Sequence, residues 1–62
     1  MSKELRTRFL KMYANLPLGV RKEIIAVIDK EPMTFNACYL EIKEKTKKGN
    51  KILKYLKRLK LL

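Results

Sequence analysis

Apolar residues recur every three or four positions along most of the chain, which is the spacing of amphipathic helices. No segment alternates apolar and polar residues for long, so the sequence predicts helices and no strands. The first predicted helix runs from about Lys3 to Asn15, with Ser2 as its N-cap. Its apolar stripe contains Leu5, Phe9, Met12 and Leu16.

Two prolines delimit a second predicted helix. Pro17 suits a first helical turn and Pro32 ends a helix, so this helix runs from about Pro17 or Leu18 to Lys30. Its apolar face is formed by Val20, Ile24, Val27 and Ile28. Thr34 is the predicted N-cap of a third helix, because its hydroxyl can accept a hydrogen bond from a free amide of the first turn. The buried stripe of that helix is Phe35, Cys38, Tyr39 and Ile42.

A phase change separates the third helix from a fourth. At 100° per residue, Ile52 points about 80° away from Ile42, so one continuous helix cannot bury both stripes. A break over residues 47–50 restores both faces, with Gly49 as the left-handed residue after one helix and Asn50 as the N-cap of the next. The fourth helix then runs from about Lys51 to Leu61, with Ile52, Leu56 and Leu59 as its stripe. The predicted fold is all-α: residues 1–62 form one compact bundle of four short helices, with a helix-turn-helix at about 34–62.

Composition adds a strong charge to this small domain. The 62 residues carry a formal net charge of +10, and 47% of them are hydrophobic, which argues against disorder. The single cysteine, Cys38, cannot form an internal disulfide, which fits a reducing, cytoplasmic setting. The first 17 residues mix charges with apolar positions, so no secretory signal is expected. The many lysine, isoleucine and glutamate residues resemble thermophile composition.

The basic residues concentrate on one face of the fourth predicted helix. By the angular count, Lys47, Lys51, Lys54 and Arg58 fall within roughly 60° of one another, opposite Ile52 and Leu56. Residues 43–60 contain nine basic residues and a single acidic one, Glu44. This pattern favours contact with nucleic acid through the second helix of a helix-turn-helix. The predicted nucleic-acid-binding residues are Lys47, Lys48, Asn50, Lys51, Lys54, Lys57 and Arg58.

Different roles are expected for these side chains. Asn50, Lys51 and Lys54 would reach base edges, where asparagine pairs with adenine and lysine donates to guanine. The remaining residues, Lys47, Lys48, Lys57 and Arg58, would contact phosphates.

The stretch from Thr34 to Leu62 resembles the helix-turn-helix half of winged-helix transcription regulators. Thr34 corresponds to the threonine that opens the first motif helix, and Ile52, Leu53 and the segment LKRLKLL match the end of the recognition helix. The resemblance implies a major-groove recognition helix in a small regulator. LKLL stands where the family has a glycine before a final apolar pair, and no wing follows, so no minor-groove contacts of a wing are expected.

Other interpretations of the same residues stay open. The lysines can form a solvated helix face, and RNA can replace DNA as the ligand. A cationic amphipathic segment can also lie in a lipid interface, although its apolar residues are needed by the core. Leu10 and Leu40, off the main stripes, and the terminal Leu61 and Leu62 can dock a protein partner or a second copy of the chain, although Leu62 is expected to complete the core. A dimer through the first helix would suit a DNA-binding protein.

No catalytic arrangement competes with binding. The sequence lacks histidine to activate Cys38, which lies on an apolar stripe and is expected to be buried. Asp29 and Glu31, and likewise Glu41 and Glu44, are expected to be surface residues in ion pairs with nearby lysines. The sequence has no phosphate-binding glycine loop and no metal-ligand spacing. The protein is therefore expected not to be an enzyme and to take no cofactor, metal or small-molecule substrate.

Overall fold

The computed structural model describes residues 3–62, so the predicted N-cap Ser2 lies outside it. Within these residues the chain forms three α-helices and one antiparallel sheet of two strands. The elements are α1 (Lys3–Ala14), a 3-10 turn (Val20–Lys22), β1 (Ile24–Ile28), β2 (Glu31–Thr34), α2 (Phe35–Lys43) and α3 (Lys47–Arg58). The predicted all-α bundle of four helices is therefore wrong, because a β-hairpin takes the place of the second helix.

The hairpin replaces a helix because its apolar residues pack with a period of two. Ala26 and Ile28 are buried while Val27, between them, is exposed. The segment IIAVI is rich in β-branched residues, which favour strands over helices. Ile24 and Val27, predicted on the buried face of a helix, are instead 61% and 53% exposed.

A two-residue turn at Asp29 and Lys30 joins the strands. Both residues have positive φ, 53° and 68°, which is the signature of a type I′ hairpin turn. Ile28 pairs with Glu31 next to the turn, and Val27 pairs with Pro32. Because hydrogen-bonded and non-hydrogen-bonded pairs alternate from the turn outward, the nitrogen of Pro32 faces away from β1, and its missing N–H breaks no ladder bond.

The core lies where all three helices meet the inner face of the hairpin. Its buried apolar residues are Leu5, Phe9, Ala26, Ile28, Met33, Cys38, Ile42, Ile52, Leu53 and Leu56. The predicted extent of the first helix is confirmed to within a residue, and so is the capping of α2, since the Thr34 hydroxyl accepts from the amide of Ala37 at 3.0 Å. The radius of gyration, 10.4 Å, is close to the ~10.5 Å of a compact domain of this length.

An aromatic cluster of Phe9, Tyr13 and Tyr39 packs α1 against α2. The rings of Tyr13 and Tyr39 stack with centroids 4.2 Å apart, and the Tyr13 hydroxyl donates to Asn36 Oδ1 at 2.5 Å. The Arg21 guanidinium lies 4.4 Å from the Tyr13 ring centroid and donates to the Tyr13 carbonyl at 3.1 Å, near the end of α1. The rings of Tyr13 and Tyr39 are therefore both packed against other residues of the domain.

Candidate nucleic-acid interface

A three-residue turn, Glu44 to Thr46, joins α2 to α3. Lys45 takes the left-handed conformation, with φ of 58°, and Thr46 caps α3 by accepting from the Gly49 amide at 2.9 Å. The predicted separation of two helices is confirmed, but its predicted place is wrong. Gly49 and Asn50 lie inside the first turns of α3, so the helix begins four residues earlier than Lys51.

Gly49 lets the two helices approach closely. It is buried, and a Cβ built on it would lie 2.4 Å from the backbone oxygen of Glu41 in α2. The Glu41 side chain also holds the turn, because its Oε1 accepts from the Thr46 hydroxyl at 2.5 Å. The start of α3 is therefore fixed against α2 by a close backbone contact and a cap.

One face of α3 packs on the core and the other faces solvent. Ile52, Leu53 and Leu56 are buried, as helical spacing requires. Leu59, predicted in the same stripe, is half exposed, because α3 ends at Arg58 and Lys60 takes a left-handed conformation with φ of 62°. Leu62 is partly buried against the core, whereas Leu40 and Leu61 are exposed.

The structure places most of the predicted binding residues together on the solvent face of α3. All are exposed except Lys48, which is half-buried. Among residues 3–62, five of them have neither an ion pair nor a side-chain hydrogen bond: Lys47, Asn50, Lys54, Lys57 and Arg58. Lys47, Lys54, Lys57 and Arg58, with the neutral Asn50 among them, are called the basic face of α3, a helix that contains no acidic residue.

The other two predicted residues are held by the hairpin. Lys51 Nζ lies 2.9 Å from Asp29 Oδ2, and Lys48 Nζ contacts Glu31 Oε1. The hydrogen bond to Glu31 is the main cause that raises the pKa of Lys48 above its ordinary value. The sequence predicts ion pairs for Asp29 and Glu31 but not these partners, which lie 22 and 17 residues further along the chain. These partners could be predicted only together with the hairpin, because its turn brings Asp29 and Glu31 next to α3.

A shallow groove runs between β1 and α3 beside this basic face, with a volume of about 260 Å³. Val27, Ile28 and Tyr55 give it apolar walls, and Tyr55 is half-buried. Its rim carries the charged side chains of Asp29, Lys51, Lys54 and Arg58. Tyr55 is the one tyrosine of the described residues that lines this groove.

Three other features of the described residues concern cysteine chemistry, metal binding and membrane spanning. Cys38 is buried, as expected, and burial together with the charge of Glu41 raises its pKa to about 11, which keeps the thiol protonated at neutral pH. Residues 3–62 contain no group of three or more histidine, cysteine or acidic side chains arranged to hold a metal ion. None of the helices in the same residues has the length and apolar character needed to cross a bilayer.

Comparison of the chain with protein-family models, with curated proteins and with solved structures finds no significant match. The resemblance of residues 34–62 to winged-helix regulators therefore stays a prediction, and the candidate interface is interpreted from its own geometry.

Proposed function

We propose that this protein binds double-stranded DNA, as a small regulator or architectural protein, with α3 in the major groove. The observation that carries the proposal is the solvent face of α3. There, Lys47, Lys54, Lys57 and Arg58 have no protein partner among residues 3–62, while the opposite face is buried. Cations without a counter-charge are the groups that DNA phosphates neutralise most readily.

The arrangement of the two helices supports the major groove as the binding place. A helix of 12 residues is about 18 Å long, and the major groove of B-DNA, about 12 Å wide, admits it. Asn50 and Lys54 are the free polar side chains suited to base edges, and Lys47, Lys57 and Arg58 are suited to phosphates. We favour DNA over RNA duplexes because the deep, narrow major groove of A-form RNA excludes a helix.

The test compares two charge-matched triple variants on random duplex DNA by fluorescence anisotropy. Lys47→Glu/Lys54→Glu/Arg58→Glu reverses three of the four cations of the basic face. Lys3→Glu/Lys11→Glu/Lys22→Glu changes the net charge equally, at exposed positions of α1 and the 3-10 turn. We expect the first to weaken binding on the order of a hundredfold or more and the second much less. The parent protein should show a log-log salt slope of about −2.7, for the three phosphates neutralised by Lys47, Lys57 and Arg58.

The outcomes distinguish binding through α3 from a non-specific electrostatic attraction between DNA and the positively charged protein. Equal losses in the two triple variants would mean that only net charge matters and would remove the role of α3. Absence of binding by the parent at low salt would end the DNA proposal. An RNA duplex that competes as well as DNA would contradict insertion into the major groove.

A protein-interaction module is the second candidate, and a specific observation favours it. Leu18 is 75% exposed, and Ile24 and Val27 are more than half exposed on a strand without charged residues. Exposed apolar side chains of this kind suit contact with a protein or a second copy of the chain. The proposal includes no enzymatic step and no cofactor, because Cys38 is buried and the sequence contains no histidine.

A further inference from the structure

The hairpin turn places two carboxylates against α3, beside its basic face. Asp29 and Glu31 flank Lys30 in the turn, and they contact Lys51 and Lys48 respectively. Lys48 and Lys51 are three residues apart, so they lie on one flank in the N-terminal half of α3. In a helix-turn-helix this half of the second helix enters the groove. The two carboxylates therefore pair with lysines at the place where DNA is expected to bind.

These ion pairs are open to exchange with other anions. The side chains of Lys51 and Asp29 are 58% and 63% exposed, and that of Glu31 is 58% exposed. Lys48 is more covered, with 29% of its side chain exposed, but in both pairs the carboxylate faces solvent, so we expect the pairs to contribute little to stability. A carboxylate offers lysine the same kind of charged oxygen acceptor as a phosphate, so a DNA phosphate can replace it with a similar charge-assisted bond.

We propose that Asp29 and Glu31 occupy, in the free protein, two positions of α3 that DNA phosphates take in the complex, and that DNA must displace both carboxylates. Lys51 then contacts a phosphate and not a base edge, in contrast to the role expected from the sequence. The inference rests on the proposed function and adds to it two acidic residues that compete with DNA. The two carboxylates lower the affinity for DNA, because each paired lysine exchanges a carboxylate for a phosphate. A lysine without a partner would gain the whole interaction with the phosphate. Displaced carboxylates also take up cations, so fewer counterions are released on binding and the salt dependence is weaker than the basic face alone would give.

The experiment uses the isosteric double variant Asp29→Asn/Glu31→Gln in the full chain. Asparagine is well tolerated at positive φ, so the change preserves the turn at residue 29. The matched control is Glu4→Gln/Glu23→Gln, which raises the net charge by the same two units. It also breaks an exposed ion pair, Glu4 to Arg8 at 3.2 Å, on α1 and away from α3. Circular dichroism spectra should show that both variants fold.

We measure binding to random duplex DNA over a range of KCl concentrations. For Asp29→Asn/Glu31→Gln we expect a log-log salt slope steeper by about 1.8, or about 0.9 for each freed lysine, and an affinity at low salt on the order of tenfold higher than that of the control. The single variant Asp29→Asn should give about half of the change in slope, because it frees Lys51 alone.

The result separates this inference from the proposed function. If the hairpin variant and the control have the same slope and affinity, Asp29 and Glu31 do not compete with DNA, although the protein binds it. A weaker affinity in the hairpin variant would show that the ion pairs assist binding, which also overturns the inference. If neither the parent nor any variant binds, the proposed function itself fails.

Discussion

At the scale of single residues, Gly49 decides how closely α2 and α3 can pack. A Cβ at this position would lie 2.4 Å from the Glu41 oxygen and 2.8 Å from the Glu41 carbonyl carbon, both of them backbone atoms that cannot rotate away. We expect Gly49→Ala to lower the free energy of unfolding by about 1–3 kcal/mol, because overpacking outweighs the roughly 1 kcal/mol gained from the better helix former. Urea unfolding followed by circular dichroism measures the difference.

The other glycine supplies the control. Gly19 has ordinary helical dihedral angles, φ −64° and ψ −34°, and a Cβ there would meet nothing within 4 Å. Gly19→Ala should therefore stabilise the protein by about 0.4–1 kcal/mol, through lower entropy of the unfolded chain. Equal stability of the two variants would contradict the close contact at Gly49.

The two roles of glycine explain why the sequence predicted the wrong place for the turn. A glycine after a helix usually takes a left-handed conformation, whereas Gly49 has negative φ and is needed for space. Lys45 takes the left-handed conformation instead, in a segment where lysines are common. A close approach between helices depends on tertiary packing, so local sequence could not distinguish the two roles.

At the scale of elements, Thr46 is the cap on which the start of α3 depends. Its hydroxyl accepts from the Gly49 amide at 2.9 Å and donates toward the Glu41 side chain. We expect Thr46→Ala to cost about 1–2 kcal/mol, because the half-buried cap bond has no replacement. Thr46→Ser should retain more than half of that contribution. Thermal and urea unfolding measure both variants.

Thr7 is the matched control for this cap. Its exposed hydroxyl donates to the Lys3 carbonyl within α1 and caps no helix, so Thr7→Ala should change stability by no more than about 0.5 kcal/mol. If alanine at Thr46 and at Thr7 had the same effect, the cap would not control the start of α3.

Element type was predictable where local sequence gave a clear helical period or a capping residue inside the described part of the chain. The first helix and the capping of α2 by Thr34 follow from local sequence. The hairpin did not, because Val20, Ile24, Val27 and Ile28 also fit a helical period, and short apolar runs are ambiguous between helix and strand. The turn residues Asp29 and Lys30 lack the Asn-Gly or Asp-Gly pattern that marks a hairpin. Contacts of the strands with the helices decide the outcome.

At the scale of the whole molecule, the candidate interface was predictable only in part. The phase of α3 relative to its buried residues placed Lys47, Lys54 and Arg58 on one solvent face, and the structure brings them together. The ion pairs of Lys48 and Lys51 could not be predicted in this way, because they depend on the hairpin, which brings acidic residues distant in sequence to α3. A charge pattern along one helix therefore indicated the basic face, while the counter-charges required the tertiary fold.

The net charge of +10 should make the stability of the whole domain depend on salt in an unusual direction. The longest dimension of the molecule is 29 Å, comparable to the Debye length of about 30 Å at about 10 mM ionic strength, so nearly all charges repel one another there. At about 150 mM the Debye length is about 8 Å, and most of this repulsion is screened. Each of the ion pairs weakened at the same time has at least one exposed side chain and contributes little.

We therefore expect the Tm to rise between about 10 mM and about 150 mM KCl. Each kcal/mol of relieved repulsion raises the Tm by about 4–8 °C in a domain of this size. The triple variant Lys3→Glu/Lys11→Glu/Lys22→Glu provides the control, because each change removes one positive and adds one negative charge and lowers the net charge from +10 to +4. Its Tm should depend much less on KCl. A Tm of the parent that falls with added KCl would show that attractive ion pairs outweigh the repulsion.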